Sequence, residues 1–274
     1  MIDLHTHSQF SFDSTAPLEN MVARAAELGM AYYGTTEHVD YCGPQYNWPT
    51  MTIDEEAYFA RARKLQEQYR GKLNYLVGLE FGYDVQLSTL IRNARAIETF
   101  RPDFVINSVH FVDGHEFDTV MQAFPEREDV FPRYLKTVKA SLAVPYHYDI
   151  VAHIGYVSRY AEFERPEIWY EDYKELYDEI LTEIIARDKI LELNASVLTR
   201  EKPTMQQATT VCLPRADVIT RYYELGGRKI SYASDAHTPN DIGRSYKEIC
   251  ALAKQIGFEG FTVPTKDGHI LVDF

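Results

Sequence analysis

The sequence is short of cysteine, of basic residues and of long hydrophobic runs, and each shortage argues against a class of protein. Its three cysteines, Cys42, Cys212 and Cys250, are scattered and odd in number, which argues against a disulfide framework or a thiolate zinc site. Lys and Arg number 28 against 41 Asp and Glu, and the net charge of −13 disfavours nucleic acid and anionic membranes as partners. No run approaches the roughly 20 apolar residues of a membrane span, and no leader peptide is visible. We therefore expect a cytoplasmic protein.

What the sequence does contain is an alternation of short apolar runs with amphipathic helical stretches. Strands are predicted at 2–5, 31–38, 74–80, 103–110, 149–155, 189–196 and 229–237. Helices are predicted at 17–29, 54–71, 85–100, 131–143, 171–186, 214–227 and 241–257. Seven successive β–α units predict an α/β fold, with a parallel sheet closed into a TIM-like barrel. The tail at 262–274 predicts a closing hairpin, and no linker divides residues 1–274, which we take as a single domain.

Two histidines one residue apart follow the first predicted strand, in the stretch IDLHTHSQF. Residues i and i+2 of an extended strand point to the same face, so His5 and His7 are directed at one common object. A divalent metal is the usual reason for this arrangement, because neutral imidazole is a common metal ligand. The alternative is a pair of surface histidines on an edge strand, and the motif alone does not decide between them.

Metal-type ligands recur where the other predicted strands end. The strand ends are His5, His38, Glu80, His110, His153, Asn194 and Asp235, each about one β–α unit apart. The carboxyl ends of barrel strands converge on one mouth, so we expect these side chains to meet there. His7, His237 and Asp13, in the first loop, complete a set of six His, two Asp and one Glu. Nine such ligands exceed the needs of one ion and fit three ions of zinc, manganese or iron, with Glu80 bridging.

The charge of such a centre indicates its substrate. Three divalent ions and three carboxylates leave a charge of about +3, which a bridging hydroxide lowers to about +2. That charge matches a dianion such as a phosphate monoester, whereas a neutral amide would leave it uncompensated.

The segments HTH, TEH, GLE, NSVHF, VAHI and SDAH resemble, in this order along the whole chain, the polymerase-and-histidinol-phosphatase (PHP) superfamily. SVHFVDG and ASDAHTPNDIG resemble its stand-alone histidinol-phosphatases. The resemblance implies a distorted seven-stranded (β/α)7 barrel with a trinuclear metal centre. It implies a phosphoric monoester hydrolase that cleaves L-histidinol phosphate, in histidine biosynthesis, by a bridging hydroxide.

The resemblance also implies how the ligands divide among the three metals. The first metal would be held by His5, His7, Glu80 and Asp235. The second would be held by Glu80, His110 and His153, and the third by Asp13, His38 and His237.

Phosphoryl transfer also needs guanidinium groups on the phosphate oxygens. Arg159 and Arg200 each follow a strand-end residue by six positions, and solvated loop arginines are the alternative. We predict these two arginines, Asp235 and His237 as catalytic residues, with Asp235 orienting the hydroxide. Predicted substrate contacts also include Ser108, His115, Asp118 and Trp48. Asp118 and Asp40 are among the carboxylates that suit the substrate amine, and Trp48 suits the imidazole.

Three other functions stay open at this point. One is a PHP-type protein-tyrosine or nucleotide phosphoesterase. Another is an amidohydrolase, against which the additional ligands Asp13, His38 and His237 argue. The third is a non-catalytic PHP module that binds metal. The sequence leaves open the native metal and whether the protein is a monomer or a homo-oligomer.

Overall fold

The computed structural model describes residues 1–41, 52–195 and 212–274, except the side chain of Asp118, and these contain eleven strands and eight α-helices. The strands are β1 (Ile2–Asp3), β2 (Tyr32–Val39), β3 (Asn74–Gly82), β4 (Phe104–Ser108), β5 (Phe111–Val112), β6 (His115–Glu116), β7 (Ile150–Val151), β8 (Ile190–Asn194), β9 (Ile230–Ala233), β10 (Gly260–Thr265) and β11 (Gly268–Asp273). The helices are α1 (Leu18–Glu27), α2 (Glu55–Gln68), α3 (Leu87–Phe100), α4 (Phe117–Ala123), α5 (Arg127–Ser141), α6 (Lys174–Ala186), α7 (Ala216–Glu224) and α8 (Tyr246–Ile256).

Seven of these strands form one parallel sheet in the order β1-β2-β3-β4-β7-β8-β9. Hydrogen bonds between the two edges close the sheet. Leu4 N donates to Tyr232 O at 3.2 Å, Asp235 N to His5 O at 2.9 Å, and His7 N to Ala236 O at 2.8 Å. The predicted distorted seven-stranded (β/α)7 TIM-like barrel is therefore confirmed. The distortion is visible in β1 and β7, which contain only two residues each.

The helices cover the barrel through apolar faces that the sequence pattern predicts. Helix α1 buries Leu18, Met21, Val22 and Ala25, which are spaced by three or four residues and so lie on one face. Helix α2 begins at the N-cap Asp54, whose side chain accepts a hydrogen bond from Ala57 N at 2.9 Å. No helix in the described ranges has the length and apolar content needed to cross a lipid bilayer.

Several boundaries differ from prediction. Strands β1, β7 and β9 end at Asp3, Val151 and Ala233, two to four residues earlier than predicted. The predicted fourth strand ends at Ser108, and a β5–β6 hairpin and helix α4 fill a stretch where no element was predicted. Helix α5 begins at Arg127, four residues early, and continues through Pro132. The predicted C-terminal hairpin is confirmed as β10 and β11, with Thr265 opposite Gly268.

Candidate metal centre

The nine predicted ligands converge at the carboxyl ends of the barrel strands. His38 and Glu80 lie within β2 and β3, at neighbouring positions of the ladder. The others lie in the segments that follow the strands: His5 and His7 after β1, Asp13 in the next loop, His110 after β4, His153 after β7, and Asp235 and His237 after β9. Parallel strands therefore deliver residues from distant parts of the sequence to one site.

Glu80 lies at the middle of the site and is fully buried. Its Oε1 lies 3.0 Å from His153 Nε2, 3.2 Å from His110 Nε2 and 3.3 Å from His5 Nε2. Its Oε2 lies 2.7 Å from His38 Nδ1 and 3.7 Å from His7 Nε2. One carboxylate thus contacts five imidazoles, an arrangement that suits a ligand bridging more than one ion.

Two further carboxylates lie to one side of Glu80. Asp235 Oδ1 is 3.3 Å from His7 Nε2 and 3.8 Å from His5 Nε2. Asp13 Oδ2 is 2.9 Å from His237 Nε2 and 3.6 Å from His38 Nε2. The residues of each predicted ligand set therefore lie together in space.

The residues fit divalent ions, because several of their polar atoms lie close to one another but make no well-aligned hydrogen bond within the described chain. These atoms are His5 Nε2, His7 Nε2, His38 Nδ1, Glu80 Oε2 and His237 Nε2, all buried without a hydrogen bond. His38 Nδ1 and Glu80 Oε2 are only 2.7 Å apart, yet they do not form a hydrogen bond. A buried polar atom without a partner costs about 1–3 kcal/mol. A cation between these atoms would satisfy them together.

The opposite nitrogens of several ligand rings are held by groups that can only accept hydrogen bonds. His5 Nδ1 lies 2.8 Å from Glu192 Oε2, His110 Nδ1 lies 2.9 Å from Asp40 Oδ1, and His237 Nδ1 lies 3.0 Å from the Asp235 carbonyl oxygen. Each Nδ1 therefore donates a hydrogen, and in the neutral ring Nε2 keeps its lone pair for a metal.

His7 is held in the same way through a serine. Ser11 Oγ donates to Glu37 Oε2 at 2.6 Å, so its oxygen accepts from His7 Nδ1 at 3.1 Å. The same oxygen accepts from His38 N at 3.1 Å. Ser11 therefore links Glu37 to two of the predicted ligands.

The electrostatics of the site favour cations. Burial alone would raise the pKa of Glu80, but the positive charges of His5, His38 and His110 hold it well below its usual range. Asp235 shows the same balance of burial against His5 and His7, and its pKa is also lowered. Burial, together with His38 and His237, lowers the pKa of His7 to about 3. Both carboxylates stay charged and His7 stays neutral, whereas, despite burial, the surrounding carboxylates raise the pKa of His5, His38, His110 and His237, and a bound metal would displace the protons from these rings.

Two predicted ligands have left-handed backbone conformations that are uncommon outside glycine. The φ angles are 25° at His153 and 53° at Asp235. Strained backbone of this kind is found at functional sites, where the surrounding structure holds it in place. At His153 the backbone N donates to Glu192 Oε1 at 3.0 Å.

Two predicted substrate contacts lie near the centre. Ser108 is buried and its hydroxyl donates to Glu80 Oε1, a position that supports the carboxylate. Arg159 is 5 % exposed, and its guanidinium carbon lies 4.6 Å from the centre of the Tyr156 ring. That ring lies 4.7 Å from the His153 ring, so Tyr156 contacts both Arg159 and a predicted ligand.

The other predicted contacts lie on β6 and α4 or outside the described residues. His115 is half-buried in β6, with its ring 5.7 Å from Phe124. Asp118 lies in α4. Trp48 and Arg200 lie outside the described residues. Asp40, one candidate for the substrate amine, instead contacts His110.

Sequence reasoning missed the buried carboxylates Glu192 and Glu37, which hold ligand histidines in place. Both carry a detectable signal, since each is an isolated charge inside a buried strand, in ILELN and TTEH respectively. A charge in such a position needs a partner. The sequence does not show which histidine each of these two carboxylates faces.

A family model described as the PHP domain matches residues 3–196. A probable histidinol-phosphatase of Clostridium acetobutylicum is 30% identical over 259 residues, covering 93% of both chains. The histidinol-phosphatase of Lactococcus lactis is 28% identical over 263 residues, covering 94% of this chain and 91% of that protein.

Two solved structures resemble the barrel along most of its length. A crystal structure of histidinol phosphate phosphatase from Lactococcus lactis, complexed with zinc, L-histidinol and phosphate, gives a TM-score of 0.82 at 25% identity and covers 98% of both chains. A putative histidinol phosphatase from Listeria monocytogenes gives a TM-score of 0.78 at 23% identity, which supports the fold alone.

Proposed function

The chain belongs to the PHP domain family, and from this premise we propose that it is a histidinol-phosphatase, which hydrolyses L-histidinol phosphate to L-histidinol and phosphate with bound divalent metal ions. The observation that carries the proposal is the set of five imidazoles around Glu80 at the mouth of the barrel. The Lactococcus lactis relative, whose structure contains zinc, L-histidinol and phosphate, supports the substrate and the metal.

The three ligand sets would hold the ions as the family resemblance implies. His5, His7, Glu80 and Asp235 would hold one ion, Glu80, His110 and His153 the second, and Asp13, His38 and His237 the third. Imidazole and carboxylate donors suit zinc, manganese or iron. Bound ions supply Lewis-acid stabilisation of the phosphoryl oxygens and lower the pKa of a water molecule.

The remaining steps belong to the side chains of the protein. Asp235, whose pKa is held low, accepts a hydrogen bond from the attacking water and orients it. Arg159 and Arg200 bind phosphate oxygens, because a guanidinium group pairs with phosphate through two hydrogen bonds. His237 Nε2 lies 2.9 Å from Asp13 Oδ2, and His237 Nδ1 lies 3.8 Å from Asp235 Oδ1. His237 would therefore contribute to catalysis together with these two carboxylates.

The rest of the substrate would bind to side chains around the mouth. Asp118 suits the amine, His115 and Trp48 suit the imidazole, and Ser108 acts by holding Glu80. We also propose that residues 1–274 work as one domain in the cytoplasm. The three scattered cysteines of the sequence, odd in number, support a reducing compartment.

The test is phosphate release by metal-loaded protein from L-histidinol phosphate, p-nitrophenyl phosphate and a phosphotyrosine peptide. We expect kcat/KM at least ~10³-fold higher on L-histidinol phosphate, about 4 kcal/mol of transition-state discrimination. Similar low rates on all three substrates would keep the phosphatase chemistry and overturn the assignment to L-histidinol phosphate.

A further inference from the structure

A buried carboxylate outside the predicted ligand sets lies directly behind one of the ligands. Asp40 follows β2, is 3 % exposed, and places Oδ1 2.9 Å from Nδ1 of His110. The other nitrogen of the ring, His110 Nε2, lies 3.2 Å from Glu80 Oε1. One edge of this imidazole therefore faces the centre, and the opposite edge faces Asp40.

The hydrogen bond has a defined direction. A carboxylate only accepts, so the Nδ1 of His110 carries the hydrogen and Nε2 keeps the lone pair in the neutral ring. The second oxygen of Asp40 is 3.9 Å from His38 Nδ1, beyond hydrogen-bond distance. The hydrogen bond that Asp40 makes to a predicted ligand is therefore the one to His110, although Asp40 also lies close enough to His38 and His110 to form a group of potential metal ligands with them.

The neighbouring strand leaves a space in which this carboxylate fits. Gly82 lies two residues after Glu80 in β3, on the same side of the strand. A Cβ atom at Gly82 would lie 1.5 Å from Asp40 Oδ1 and 3.2 Å from His110 Nδ1. The φ angle of Gly82 is not positive, so its backbone conformation suits any residue. Glycine is needed at this position to leave room for Asp40.

We propose that Asp40 is a positioning residue that acts through His110, with Gly82 providing the space for it. Asp40 fixes the ring so that Nε2 points toward Glu80 and His153, the other two ligands proposed for the second metal. The inference rests on the proposed function because His110 is a proposed metal ligand. The readouts below use no substrate, so a wrong substrate assignment leaves them unaffected.

The chain offers a matched control at the opposite end of the barrel. His147 Nε2 and Asp149 Oδ1 are also 2.9 Å apart, but the His147 side chain is 64% exposed. No group of potential metal ligands in the described residues includes this pair. Asp149→Ala therefore removes a His–Asp pair of equal length, together with the hydrogen bond from Val105 N, from a place where no metal is proposed.

The experiment compares Asp40→Ala, Gly82→Ala and Asp149→Ala with the unaltered protein. Zinc stoichiometry and affinity are measured by competition with a chelator, and ¹⁵N-histidine NMR of the zinc-loaded protein identifies the nitrogen that ligates zinc. Loss of a carboxylate behind a ligand weakens metal binding by about 10–100-fold. We expect this loss in Asp40→Ala and in Gly82→Ala, which keeps the carboxylate but displaces it. Both variants should lose the protected Nδ1–H signal of His110, and Asp149→Ala should keep it.

Two results would overturn the inference. Unchanged zinc affinity and an unchanged His110 signal in both Asp40→Ala and Gly82→Ala would show that Asp40 has no effect on the ligand. Loss of one whole metal equivalent in Asp40→Ala, with the Nδ1–H signal of His110 intact, would make Asp40 a direct ligand. If Asp40→Ala does not fold, Gly82→Ala carries the test.

Discussion

The two ends of the barrel both bury carboxylates, but they differ in how those carboxylates are partnered. At the amino end, Asp103 Oδ2 accepts from Val77 N at 2.9 Å and also pairs with Arg63 at 2.6 Å. Asp149 Oδ2 likewise accepts from Val105 N at 2.8 Å. At the carboxyl end, Glu80 Oε2 is buried without a hydrogen bond. Burial of a charge is common to both ends, but the carboxylates Asp103 and Asp149 are paired, whereas Glu80 Oε2 makes no hydrogen bond.

This difference suggests a way to separate function from stability. Asp103 and Asp149 each stand one residue before a strand and fasten it to its neighbour, so they stabilise the fold. Glu80 and its imidazoles instead leave polar atoms open to a ligand. Substitutions at the two ends should therefore change different measured quantities.

The largest effect is expected from Glu80→Gln. The amide keeps the size of the side chain but removes the charge that would bridge two metals, so kcat/KM should fall by about 10³-fold or more. The measurement is phosphate release together with metal content, and circular dichroism checks the fold. Wild-type turnover with full metal content in Glu80→Gln would contradict the assignment of function to the carboxyl end of the barrel.

Removal of metal from the carboxyl end of the barrel should lower the stability of the folded protein. A metal that binds only the folded chain adds about 2.7 kcal/mol at a free concentration 100 times Kd. Dialysis against a chelator should lower Tm, and added zinc should restore it. Glu80→Gln serves as the control, since its Tm should depend much less on the chelator. An equal response in both proteins would contradict a stabilising site at Glu80.

At the amino end, Asp103→Ala should lower the free energy of unfolding by about 1–3 kcal/mol, because Val77 N loses its buried acceptor. Urea denaturation measures this loss. Metal content and kcat/KM should stay within about twofold of the unaltered protein. A loss of metal larger than the loss of stability would show that the two ends are coupled.

The smallest effect is expected where a charge has a partner but little burial. Lys139 of α5 and Glu179 of α6 are 2.9 Å apart, with side chains 47% and 53% exposed. Lys139→Ala should change the free energy of unfolding by less than about 1 kcal/mol, because solvent and salt screen the pair. The same urea titration measures it, and a cost as large as that of Asp103→Ala would mean that burial is not the deciding property.

The sequence predicts the metal-type residues at the carboxyl end of the barrel better than it predicts the residues that hold them in place. Period-two spacing and repeated strand ends predict that His5, His38, Glu80 and Asp235 face one mouth, because barrel topology fixes where strand ends lie. Glu192 escapes this reasoning, since its partner His5 is 187 residues away and only the closed barrel brings them together. Helix α4 and the β5–β6 hairpin were missed because such short elements carry little periodic signal.

The seam between β1 and β9 bears on how the protein is made. Thr6 pairs with Ala236 across this seam, although the two residues are 230 positions apart in the sequence. A ribosome must release nearly the whole barrel before His5 and His7 can meet Asp235. His5 and His7 are therefore translated well before Asp235, and the three side chains cannot come together until β9 closes the ring.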